Sequence, residues 1–103
     1  MSEQEKKKPA DRLLDQVVRV VYAGRVQGVG FRYTAREFAL QFGIRGWVRN
    51  CDDGTVEVVA AGDSESLNGF LESLGSHMRR RILNTQQQRG ELDDSCQGFE
   101  VRR

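Results

Sequence analysis

The sequence predicts an α+β domain in which two helices cover one face of a mainly antiparallel sheet of four to five strands. Three observations predict it. Period-two runs of β-branched residues alternate with two stripes of helical period, in the order strand, helix, strand, strand, helix, strand, with a fifth strand at the end. The strongest turn in the chain, Cys51-Asp52-Asp53-Gly54, joins two consecutive strands as a hairpin. A length of 103 residues, 38% hydrophobic and 30% charged, suits one core and leaves no room for a second.

Residues 1–16 contain Pro9 and the run Lys6-Lys7-Lys8, and are expected to be a flexible polar tail ahead of a domain over 17–103. The first strand is expected over Val17 to Ala23, with Val18, Val20 and Tyr22 on one face. A glycine-rich loop follows. From Phe31 the period becomes helical: Phe31, Ala35, Phe38, Ala39 and Phe42 share a stripe, and Gly43 is a natural stop. Ile44 to Asn50 and Thr55 to Ala61 read as the two arms of the hairpin. Asp63 or Ser64 can cap a second helix, whose stripe is Leu67, Phe70, Leu71 and Leu74 and which Gly75 is expected to end. Arg79 to Gln88 reads as a polar edge strand, and Gly98 to Arg102 as a short closing strand. The resulting βαββαβ order is that of a ferredoxin-like sandwich. In that topology the first two strands run parallel. The glycine loop and the end of the second strand then share one edge of the sheet, which brings Arg32 towards Asn50.

The loop is where chemistry is expected. Gly24, Gly28 and Gly30 let the backbone take positive φ, so that successive N–H groups of Gly24, Arg25, Val26, Gln27, Gly28, Val29 and Gly30 can converge on one point. A helix N-terminus adjoins the loop, and Arg32 adds a planar fork of donors with a permanent charge. Such a set describes a phosphate cradle. It is not a dinucleotide fingerprint, because Tyr33 stands where glycine or alanine is needed. It is not an ATP-type loop, because the chain has no Gly-Lys-Ser/Thr.

Gly24-Arg-Val-Gln-Gly-Val-Gly-Phe-Arg32 resembles the first signature of acylphosphatases. Gly46-Trp-Val-Arg-Asn50-Cys-Asp-Asp-Gly54-Thr-Val56, continuing to Gly62, resembles their second. The resemblance covers Val17 to Gly75 closely and Phe99-Glu-Val-Arg more loosely. It implies a compact ferredoxin-like enzyme, a hydrolase acting on the carboxyl–phosphate bond of acyl phosphates. It also implies that Arg32 binds the phosphate and that Asn50 orients the attacking water. Two departures stand out. Cys51 occupies a place where small hydroxyl or apolar residues are common, and Gly75-Ser76-His77-Met78 replaces a frequent Gly-Pro.

The residue chemistry agrees with that reaction. The region has no histidine, no pair of carboxylates and no cluster with metal-ligand spacing, so no metal and no other cofactor is expected. The departing carboxylate is a weak base and needs no general acid. Lys+Arg is 16 against 15 for Asp+Glu, a balance that gives no reason to expect nucleic acid or a membrane as partner. The N-terminus lacks the apolar stretch of a signal peptide, and Cys51 and Cys96 read as thiols of a reducing, cytoplasmic setting. The expected partner is a small-molecule acyl phosphate or an acyl-phosphorylated protein, met by a monomer. Two other classes compete: a non-catalytic phosphate- or anion-binding domain, and an RNA-binding ferredoxin-like domain. Trp47 reads as packing, His77 as a surface residue, and Arg79-Arg80-Arg81 as a solvated edge or a docking patch for an acidic partner.

Overall fold

A computed structural model describes residues 15–103. It contains β1 (Gln16–Gly24), α1 (Phe31–Phe42), β2 (Arg45–Asn50), β3 (Val56–Gly62), α2 (Ser64–His77), β4 (Ile82–Arg89) and β5 (Phe99–Arg102). One five-stranded sheet runs in the order β4-β1-β3-β2-β5. β3 pairs antiparallel with both β1 and β2, so those two strands run parallel to each other, as the sequence predicts. β4 closes one edge antiparallel to β1, and β5 closes the other parallel to β2. Residues 1–14 of the expected tail lie outside the described residues, and Gln16 is already paired with Gly62 in β1.

Alternation along the strands sorts the two faces. Val20 and Tyr22 of β1, Val48 of β2, and Val56, Val58 and Ala60 of β3 are buried in one core with Phe31, Ala35 and Ala39 of α1 and Leu67, Phe70 and Leu74 of α2. Both helical stripes are therefore those read from the 3.6-residue period. Phe38, Phe42 and Leu71 pack at their margins.

Two boundaries differ from expectation by more than one residue. α2 continues past Gly75 to His77. Met78, one turn beyond Leu74, is buried, and its N–H donates to the Leu74 carbonyl at 3.0 Å. Burial of that further apolar residue outweighs the weak helix propensity of one glycine. Arg79 to Arg81 are not strand. They form a tight turn in which Arg79 N–H donates to Ser76 O at 3.3 Å and Arg81 N–H to Met78 O at 2.8 Å, and β4 starts only at Ile82.

Candidate active site

β1 leaves the sheet at Gly24. Here φ is 132°, and a β-carbon would lie 2.3 Å from the Arg81 carbonyl oxygen. Only glycine permits that approach, and Arg25 N–H closes it with a 2.8 Å bond to the same oxygen. Val26 then turns fully into the core, so the loop is anchored from within. Gln27 braces it from outside. Its Nε2 donates to Cys51 O and to Thr55 O, both at 2.8 Å, tying the loop to the turn between β2 and β3. Tyr22 and Phe31, either side of the loop, pack ring on ring at 4.9 Å between centroids.

Gly28 and Gly30 take left-handed conformations, with φ of 74° and 81°. Gly30 is also the N-cap of α1, and it has no side chain to offer the first amides of the helix. The first bond of the helix runs from Thr34 N–H to Gly30 O at 3.0 Å, and the first turn holds no acidic residue. The amides ahead of Thr34 are thus left without the usual side-chain acceptor, at the positive end of the helix dipole. That is the geometry an anion completes.

Arg32 lies in this first turn. Its Nη1 donates to the Arg102 carbonyl at 2.9 Å, at the end of β5. Arg102 is the register partner of Arg49, the residue before Asn50. Asn50 itself pairs with Val56, which pairs with Tyr22, and this row lies on the helix-bearing side of the sheet. Gln27 therefore ties the loop to the turn that follows β2, and Arg32 ties α1 to the end of β5, the strand beside β2. Asn50 Oδ1 is buried and has no hydrogen-bond partner.

The other face of the sheet carries a charge network. Glu57 is nearly buried and accepts from Arg19 Nε and from Arg49 Nε, the latter at 2.7 Å. Burial alone would raise its carboxyl. The two guanidinium hydrogen bonds and their charges outweigh it and hold the group below the usual carboxylate range. Arg49 and Arg102 lie over the Trp47 ring, 5.8 and 4.8 Å from its centroid. Trp47 is thus packing, as read, but against cations. His77 is exposed and meets the Phe38 ring edge-on at 5.7 Å, and Cys51 and Cys96 are free thiols.

Sequence reasoning placed Arg32 at the helix start, Asn50 at the strand end, and Gly24, Arg25, Val26, Gln27, Gly28, Val29 and Gly30 in the loop. It missed that Gln27 is a brace and that the Arg102 carbonyl holds Arg32. It also missed Glu57, whose signal was a lone carboxylate in the apolar run Val56–Gly62. Among the described residues, no three His, Cys, Asp or Glu side chains gather where a metal could sit. No described helix is long and apolar enough to cross a membrane.

A family model described as Acylphosphatase matches residues 18–101. An acylphosphatase of Nitrosococcus oceani is 40% identical over 86 residues, covering 82% of this chain and 96% of that relative. One of Bacillus licheniformis is 54% identical over 56 residues, a stretch that spans 54% of this chain and only 62% of the relative's length. The structure of an acylphosphatase from Coxiella burnetii superposes with a TM-score of 0.77 at 30% identity, over 89% of this chain and 97% of that one.

Proposed function

The chain belongs to the acylphosphatase family, and from that premise we propose that it hydrolyses the carboxyl–phosphate bond of acyl phosphates, releasing a carboxylate and inorganic phosphate, with Arg32 and Asn50 as the catalytic residues. The loop amides after Arg25, whose own N–H is spent on the Arg81 carbonyl and so drops out of the expected set, and the first turn of α1 receive the phosphoryl oxygens. Arg32 keeps donors beyond the one spent on Arg102, and these grip the same oxygens in a charge-assisted fork. Asn50 holds a water in line with the phosphorus. An amide cannot take the water's proton, which passes to a phosphoryl oxygen of the substrate.

The reaction asks no more of the protein than this. Phosphoryl transfer through a loose transition state is accelerated by positioning and by charge stabilisation. The leaving carboxylate, with a pKa of about 4, departs unprotonated. No metal or other cofactor enters. The protein acts as a cytoplasmic monomer, with neither nucleic acid nor a membrane as partner.

The observation that carries the reading is Asn50 Oδ1, buried without a partner at the strand end towards which Arg32 and Gln27 reach. A buried acceptor of this kind costs about 1–3 kcal/mol while it stays unpaired, and the attacking water is the partner proposed for it. Phosphate release from benzoyl phosphate tests the proposal. Turnover that follows enzyme concentration supports it. Phosphate binding without turnover would instead describe an anion sensor.

A further inference from the structure

A cleft of about 290 Å³ opens beside the phosphate loop. Val29 of the loop forms one wall, and His77 with Arg79, Arg80 and Arg81 forms much of the rest. We propose that this cleft is a subsite for a second anionic group, carried on the acyl portion of the substrate. The proposal rests on the hydrolytic reading above and narrows its substrate class to short acyl phosphates that end in a carboxylate or a second phosphate.

The charge balance supports the assignment. Arg19, Arg45, Arg49 and Arg102 each pair with a carboxylate. Arg79, Arg80 and Arg81 are exposed and pair with no carboxylate among the described residues. Three consecutive unpaired cations thus concentrate positive potential in a chain whose formal net charge is only +1. A concave site lined by one sign of charge focuses that potential on a ligand of the other sign.

The arrangement is also rigid. The arginine backbone is pinned in a turn by bonds to Ser76 O and Met78 O. The Arg81 carbonyl is bonded to Arg25 N–H and pressed against Gly24, so the cationic wall and the cradle move together. The volume sits at the lower end of small-molecule sites and admits a chain of a few heavy atoms. That is the scale of the acyl group of a substrate whose phosphate already lies in the loop.

Succinyl phosphate and butyryl phosphate test the subsite, because they match in length and differ in a terminal carboxylate against a methyl. The protein should favour succinyl phosphate by roughly five- to tenfold in kcat/KM, mostly through KM, with the preference shrinking as salt is raised. In a variant carrying Arg79→Gln, Arg80→Gln and Arg81→Gln, the ratio should fall towards one. The ratio is the readout, so a general loss of activity does not imitate the effect. A ratio near one in the unaltered protein, or one kept by the triple variant, overturns the subsite and leaves hydrolysis standing. Failure to hydrolyse either compound overturns the hydrolytic reading, and the subsite with it.

Discussion

Gln27 spends both amide hydrogens on the carbonyls of Cys51 and Thr55, so the loop proposed to receive phosphate is tied to the turn that follows Asn50. Gln27→Ala removes a donor from two carbonyls at once. It should cost about 1–2 kcal/mol in urea unfolding and lower kcat by uncoupling Asn50 from the loop. Unchanged kcat with lowered stability would make Gln27 a fold residue only. Glu57 gives a pH prediction. Its carboxyl titrates lower in the fold than its ordinary value of 4.5. The unfolded chain therefore takes up the proton first as pH falls. The stabilisation is complete well above that value and is lost as pH drops towards the folded one. Glu57→Gln should be about 1–2 kcal/mol less stable at neutral pH, and thermal melting should show the two proteins converging in acid. A gap that persists in acid would assign the loss to packing. Neither role could be read beforehand. A glutamine in a glycine loop is equally suited to face a ligand, and Glu57 needed the register that sets Arg49 opposite it on β2 and Arg19 two residues before its β1 partner Val21.

At the scale of elements, periodicity carried nearly everything: both helical stripes, the Asp-Gly hairpin and the parallel course of β1 and β2. The errors fell where local and tertiary signals part. Gly75 looks like a helix stop, yet burial of Met78 carries α2 beyond it. Arg79 to Arg81 look like the start of an edge strand, yet Gly24 pairs with Ile82, and the arginines are needed to turn the corner. That corner makes a specific demand on Gly24. Gly24→Ala would place a methyl 2.3 Å from a carbonyl oxygen at positive φ, where the neighbour is backbone and cannot swing aside. The variant should lose about 1–3 kcal/mol, with looser phosphate binding because the loop must shift. A melting temperature equal to that of the unaltered protein would mean that β1 and β4 separate there at no cost.

In the molecule as a whole, the parallel placement of β1 and β2 puts the glycine loop, the proposed phosphate cradle, and Asn50 at one end of the sheet, and β5 adds the carbonyl that holds Arg32. Loop and asparagine were legible in two short motifs. The Arg102 carbonyl was not, because a backbone acceptor leaves no mark on residue identity. Since the chemistry is assigned to amides, a guanidinium and a water, turnover should survive exhaustive chelation, and activity restored by one divalent metal would contradict the mechanism. The most direct test compares kcat with competitive inhibition by inorganic phosphate in Arg32→Ala and Asn50→Ala. Arg32→Ala should lose both turnover and phosphate inhibition. Asn50→Ala should lose roughly 10²-fold or more in kcat, about 3 kcal/mol of transition-state stabilisation, while phosphate still competes nearly as before. Near-full kcat in Asn50→Ala, or phosphate inhibition lost as completely as in Arg32→Ala, would contradict the assignment of water to Asn50 and phosphate to Arg32.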